Sequence, residues 1–325
     1  MEEKYFAASN SGKGFKSFFG EIFDPYRLEH IYIIKGGPGT GKSYFMKSVA
    51  KIAEEKGKNV VYYYCSSDQN SLDGIIIDGK TAVLDGTAPH DTDAVLPGAA
   101  EDIVDLGAFW DSKELERHKS EIVSLNADKS RHYKRAYKYL EAYHSISEAL
   151  STLTAPFIDH AKIEKCVSNI MRNVKSGFFY DAETAICGSV GMEGCVRFSS
   201  LEEKAEKIYV LADLYDTSCH FLRAVANTAL AKKLSVTLSY DPINSDRLDA
   251  VYLKDSKILF TSNMSDSTNA FKKISMQRFI NTETASFSRA SLKNAMKLRE
   301  LMLEETVSAL QDVKKTHFKI EDIYI

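Results

Sequence analysis

A chain of 325 residues has room for two domains of ordinary size, each burying its own core. With 44% hydrophobic and 27% charged residues it has the composition of a globular protein, which excludes a disordered chain. The formal net charge of -3 gives no chain-wide attraction for nucleic acid or anionic lipid, so any such contact has to come from a local patch.

The N-terminal segment MEEKYFAASN lacks the basic and then apolar regions of a secretory signal, and no run approaches about 18 uninterrupted apolar residues. Cys65, Cys166, Cys187, Cys195 and Cys219 form no CxxC pair and are odd in number, which suits reduced thiols. A cytoplasmic protein without a membrane segment is expected.

His30 to Ile34 (HIYII) reads as a buried strand that runs into GGPGTGKS, Gly36 to Ser43. The residues after Ser43 place Phe45, Met46, Val49, Ile52 and Ala53 at helical spacing, with a stop at Gly57. G-x-x-x-x-G-K-S between a strand and a helix is the context of a Walker A phosphate loop. Gly36, Gly37, Gly39 and Gly41 let the backbone curl with its N–H groups inward, beside the positive end of the helix. Lys42 is expected to reach the β- and γ-phosphates, Ser43 to ligate Mg²⁺, and Pro38, Thr40 and Tyr44 to complete the nucleotide-binding segment. The alternative is a chance glycine-rich turn.

Asn59 to Tyr64 is the next strand, and Thr81 to Leu84 (TAVL) is an apolar run ending at Asp85. Asp85 is the Walker B candidate, a carboxylate at a strand end that would hold the Mg²⁺ water shell. The competing reading is a turn-forming Asp85-Gly86 pair. Because Gly86 rather than Glu follows, a catalytic base has to come from elsewhere. His90, in DGTAPH, is a proton-transfer candidate with an ordinary loop histidine as its alternative.

From Asp111 to about Lys175 the pattern is helical, with Leu115, Ile122, Leu125, Ala136, Leu140 and Tyr143 at three- and four-residue spacing. Arg131, Lys134, Arg135 and Lys138 share one face, interleaved with Tyr133, Tyr137 and Tyr139. A solvated face explains them, and the sharper alternatives are a nucleic-acid surface or an Arg135 that reaches the γ-phosphate.

The chain also repeats itself. YFAASNSGKGFKSFF aligns with AICGSVGMEGCVRFS at a shift of 180, HIYIIKGGPGTGKS with KIYVLADLYDTSCH at 177 or 176, and VVYYYCSSDQNSLDGIII with VTLSYDPINSDRLDAVYL at 176. One register over three strands and a helix indicates a duplication, against two unrelated α/β units with generic patterns. Lys42 falls opposite Cys219 or His220, the glycines opposite Asp213, Leu214 and Ser218, and Asp85 opposite Thr261, so the second copy has lost the phosphate chemistry. Leu72 and Asp73 recur as Leu248 and Asp249, which marks them as structural. Asp68 becomes Asn244, which makes Asp68 a candidate catalytic, water-orienting carboxylate, with an exposed turn aspartate as the alternative. Phe109-Trp110-Asp111 and Phe279-Ile280-Asn281 begin corresponding helical segments, the second running from about Thr282 to Val313.

FAASNSGKGF, IYIIKGGPGTGKS, CSSDQNSLDG, VLDGTAPH, LGAFWD and KRAYKYL together resemble a little-characterised family of duplicated bacterial P-loop ATP-binding proteins, described as ATPases. The resemblance implies ATP binding by tandem P-loop units. Members often keep a phosphate loop in both halves, whereas this chain lacks the second, so a mechanism needing two ATP molecules per chain is not expected.

The expected fold is α/β, with two P-loop NTPase-like units on mostly parallel sheets, each followed by a helical arm. Residues 1–183 form the active unit, with its arm over about 111–175, and residues 184–325 the degenerate one. The expected function is Mg²⁺-dependent binding of ATP or GTP with hydrolysis, as a switch or on stimulation by a partner. A kinase, a nucleic-acid-stimulated ATPase and a non-hydrolysing nucleotide sensor are the alternatives. A protein partner or homodimer fits the first reading, and nucleic acid has weaker support.

Overall fold

A computed structural model describes residues 2–89, 92–263, 269–281 and 289–324. The first half contains β1 (Glu3–Phe6), a hairpin of β2 (Ala8–Ser11) and β3 (Gly14–Ser17), α1 (Phe19–Ile22), β4 (His30–Lys35) and α2 (Lys42–Glu55). It continues through β5 (Val60–Tyr64), β6 (Leu72–Ile77), β7 (Thr81–Asp85), β8 (Glu101–Asp105), α3 (Ser112–Arg117), α4 (Lys119–Thr154) and α5 (His160–Ile170). The six-stranded sheet has the order β1-β5-β6-β7-β4-β8, and only β6 runs against its neighbours. Ile31, Ile33 and Ile34 of β4 are fully buried, and Met46 and Ala50 of α2 cover one face of the sheet. Burying each such side chain stabilises the fold by about 1.5–3 kcal/mol.

The second half contains β9 (Asp181–Ala185), a hairpin of β10 (Gly188–Gly191) and β11 (Gly194–Arg197), α6 (Ser200–Lys204), β12 (Lys207–Ala212) and α7 (Ser218–Ala231). Then come β13 (Ser235–Tyr240), β14 (Leu248–Leu253), β15 (Ile258–Thr261), β16 (Lys272–Ser275) and α8 (Arg289–Tyr324). Its sheet has the order β9-β13-β14-β15-β12-β16, the same as the first, again with one reversed strand, β14.

The two halves meet about an approximate two-fold axis that is visible in single hydrogen bonds. Phe6 N–H donates to Ile186 O at 2.8 Å, and these two residues are each other's counterparts at a shift of 180. Gly12 N–H donates to Ile243 O at 3.0 Å, while Met192 N–H donates to Ser67 O at 2.7 Å. Shifting the donor forward by 180 and the acceptor back by 176 turns the first bond into the second. Each hairpin therefore reaches into a loop of the other half, β2–β3 into the one after β13 and β10–β11 into the one after β5. Gly191 shows how close the approach is, since a Cβ there would lie 2.6 Å from Ser66 O and 2.7 Å from Ser67 O.

Register corrects two residue equivalences drawn from sequence. Ile33 pairs with Leu84 and Val210 with Thr261, so Thr261 is the counterpart of Leu84, and that of Asp85 is Ser262. Helices α2 and α7 start at Lys42 and Ser218 and both end at a left-handed residue, Gly57 and Lys233, so Lys42 faces Ser218 rather than Cys219 or His220. Apolar strands slide past one another in a sequence alignment at little cost, and only their hydrogen-bonded ladders decide.

Helices α4 and α8 pack antiparallel, with Ala136 and Leu140 against Ala309, Leu310 and Val313. The second arm thus extends to Tyr324 rather than to Val313, and the first breaks after Thr154 before α5; residues 282–288 lie outside the described residues. The arms change sides. The chain after α4 docks on the second half, where Asp159 N–H donates to Phe279 O at 2.8 Å, and α8 ends against the first half, its Tyr324 ring 5.9 Å from that of Trp110.

The basic face is largely neutralised by its own neighbours. Arg131 pairs with Asp128, Lys138 with Glu141 at 2.8 Å and Arg135 with Asp312 at 2.7 Å. Tyr133 and Tyr137 turn inward, and Tyr137 O–H donates to Asn10 Oδ1 at 2.9 Å, so they form no stacking surface beside the cations. Arg135 is bound to the other arm rather than directed at the glycine-rich loop. Among the described residues, no helix is long and apolar enough to cross a membrane.

Candidate functional site

The segment Gly36 to Ser43 joins the carboxyl end of β4 to the amino end of α2. Gly39 and Gly41 have φ of 73° and 79°, a region costly for residues with a Cβ, and this bends the loop around the helix N-terminus. Thr40 Oγ1 donates to Gly37 O at 2.8 Å and holds the turn. Lys42 Nζ donates to Gly36 O and Gly37 O at 2.9 and 2.7 Å and lies 3.7 Å from Asp85 Oδ2. Ser43 Oγ accepts from Leu72 N–H at 3.0 Å.

Asp85 is mostly buried, and Thr87 donates to its Oδ1 through N–H and O–H. Burial pushes its carboxyl above the usual range, opposed by Lys42 and the Thr87 bonds and reinforced by the charge of Asp73. Asp73 was read from sequence as structural. It precedes Gly74, which pairs with Leu84, and so flanks Asp85 at the carboxyl edge of the sheet. In the second half its counterpart Asp249 pairs with Arg197 at 2.6 Å, while the first-half position of Arg197 is Ser17. That exchange was the sequence signal that Asp73 has a different environment.

Asp68 lies in the neighbouring loop, but its carboxylate caps its own turn, accepting from Asn70 N–H at 3.1 Å and Ser71 O–H at 2.5 Å. Tyr44 is 78% exposed beside the loop. His90 lies outside the described residues. The structure brings Lys42, Ser43, Asp85 and Asp73 together, and it adds residues that no local pattern announced. A Cβ on Gly37 would lie 3.1 Å from Trp110 Cζ2 and 3.4 Å from Tyr324 Cε1. His317 on α8 lies 3.4 Å from Glu321 and has its pKa lowered by burial, with Lys42, Lys129 and Asp68 all acting on it.

The second half shows what such a loop does with an anion. Its Thr217 Oγ1 donates to Leu214 O at 2.8 Å, repeating the Thr40 bond, and one residue is missing where Gly41 stands in the first half. Asp213, the counterpart of Gly36, accepts from Ser218 N–H at 2.7 Å and from Asp216 N–H at 2.9 Å. The carboxylate sits at the positive end of α7 on the amides that correspond to those of Lys42 and Gly39. The first half has no side chain at 36 to perform that role.

Beside this second loop Asp241, at the position of Cys65, accepts from Ile243 and Asn244 N–H at 2.9 and 2.7 Å. Burial pushes its carboxyl up from 3.8 to about 6, against those bonds. The folded chain therefore keeps this proton where the unfolded chain sheds it. The stability it contributes is present below about pH 3.8 and is lost as pH rises to about 6. Asp241→Asn keeps the acceptor oxygen and removes the charge. Denaturant melts are expected to show a gain on the order of 1–2 kcal/mol at pH 7 and a flatter dependence between about pH 4 and 6. An unchanged slope would contradict this.

Among the described residues no three His, Cys, Asp or Glu side chains form a metal cage. A divalent cation held through one hydroxyl, one carboxylate and a ligand's oxygens, as Mg²⁺ commonly is, needs no such cage.

Compared with known proteins, the family described as nephrocystin 3, N-terminal, matches residues 19–76. That stretch runs from α1 through β4, the glycine-rich loop, α2 and β5 into β6, and stops within the first half. It differs from the tandem bacterial family that the motifs resemble, and it is too short to assign the whole chain to a family. No curated protein and no solved structure matches the chain.

Proposed function

We propose that the first half binds a nucleoside triphosphate, ATP by the motif resemblance, together with Mg²⁺, and hydrolyses it slowly or on stimulation by a protein partner. The second half is a related unit that binds none. The observation that carries this reading is the Asp213 carboxylate on the amides of the second loop, a protein-made anion where the first loop has Gly36. A loop with glycine where the second half has that carboxylate, the positive end of α2 and the Lys42 ammonium suit a phosphate chain. Ser43 and Asp85 would hold Mg²⁺, which supplies neutralisation of charge on the phosphates.

Asp85 is flanked by a lysine and a second carboxylate rather than by a free base, and Asp68 is engaged in its turn, so slow intrinsic turnover is expected. A switch in the cytoplasm that a partner drives fits this chemistry. Phosphate release from ATP and GTP, measured with Mg²⁺ and with EDTA, tests the reading. Slow, Mg²⁺-dependent release without an acceptor is expected, whereas ADP formed only with an added acceptor, and without release of phosphate, would instead indicate a kinase.

A further inference from the structure

In the second half the loop's anions are not left to the amides. Asp216 is the counterpart of Gly39 and keeps the same left-handed backbone, φ 65° against 73°. Its carboxylate receives Arg247 and, from the arm α8, Arg299 at 3.0 Å. Arg299 therefore crosses from the helical hairpin to meet a negative charge on the glycine-rich loop's equivalent.

The first-half counterpart of Arg299 is Lys129. Lys35 pairs with Asp105 and Ala212 with Ser275, so the two halves enter their arms at a shift of 170. Ala136, Leu140 and Leu150 on α4 and Thr306, Leu310 and Ile320 on α8 are all buried, at that same shift. Lys129 thus stands on α4 where Arg299 stands on α8. The first loop has glycine at both 36 and 39, where the second has Asp213 and Asp216.

The surroundings of Lys129 agree. Burial lowers its pKa, with Glu321 opposing, and Lys129 and Lys42 both act on His317, one helical turn before Glu321. The last turn of α8 reaches the loop itself, where Tyr324 and Trp110 flank Gly37. Lys42 reaches terminal phosphates in such loops, so a second ammonium on its side belongs at the same end of the ligand.

We propose that Lys129 is a second phosphate-binding cation, carried to the first-half loop by the arm and directed at the terminal phosphate, so that it discriminates triphosphate from diphosphate. The inference rests on the nucleotide reading. It also gives the second half a part in the site, since α8 supplies Glu321, whose charge acts on Lys129, and His317, on which Lys129 acts.

The test is the affinity of the full chain for ADP and for a non-hydrolysable ATP analogue, with Mg²⁺, in the unaltered protein and in Lys129→Met, Lys129→Gln and Lys129→Arg. Loss of one charge-assisted bond predicts that Met and Gln weaken the triphosphate analogue by about 10- to 30-fold and ADP by less than about 3-fold, with Arg restoring most of the difference. If the unaltered chain binds both nucleotides and the Met and Gln variants keep its ratio of affinities, this inference falls and the nucleotide reading stands. Binding of neither nucleotide by the unaltered chain would overturn both.

Discussion

Lys42→Ala is expected to lower triphosphate affinity by at least about 100-fold, because two charge-assisted phosphate bonds worth about 1.5–3 kcal/mol each disappear together. The fold should tolerate the change. The remaining partners of Lys42 are two carbonyls of its own loop and Asp85, which accepts from Thr87 as well. Circular dichroism should be unaltered, while loss of its cation leaves Asp85 easier to protonate. A Lys42→Ala protein that is folded and binds ATP as tightly as the unaltered chain would remove the lysine from the account.

The second large effect concerns stability. Arg197 donates to Asp249 at 2.6 Å and lies 3.5 Å from Glu202 and 3.4 Å from Thr261 Oγ1, and Asp249 is only 2% exposed. Arg197→Met would leave two buried carboxylates without their cation, at a cost of about 3–5 kcal/mol. Burial already pushes the Glu202 carboxyl up against the pull of Arg197, so the deficit should shrink in acid, where that group protonates. Denaturant melts at pH 7 and about pH 5 measure both statements. Equal stability of the variant and the unaltered chain at pH 7 would contradict them. Adding Asp249→Leu to Arg197→Met should recover part of the loss, since the buried charge goes with its partner.

Local chemistry was legible in the sequence where it is written in consecutive residues. The strand HIYII, the glycine-rich loop and the helix after it follow from an apolar β-branched run, the glycines and helical spacing, and all appear where expected. The duplication was legible because both copies keep their apolar pattern, and the paired bonds of Gly12 and Met192 repeat it in space. Asp85 was placed one residue out of register in the second copy because TAVL and ILFT are apolar throughout, so neither carries a marker of position.

What spacing does not encode is which helix returns to which half. The antiparallel hairpin of α4 and α8 brings Tyr324 against Gly37 and His317 within electrostatic reach of Lys42, although both lie far from the loop in sequence. It also turns Tyr133 and Tyr137 inward, where the sequence suggested a mixed basic and aromatic surface. The recurrence of Asp73 as Asp249 does not show what each one touches, because the residue paired with Asp249, Arg197 where the first half has Ser17, lies on another strand.

The chain has a single tryptophan, Trp110, and it packs against Gly37 of the loop. Titrating the full chain with ATP and Mg²⁺ while following its fluorescence, with equilibrium dialysis to count the bound nucleotide, addresses the central claim most directly. A saturable change at one nucleotide per chain is the expected result. No saturable binding, or two nucleotides per chain, would contradict it.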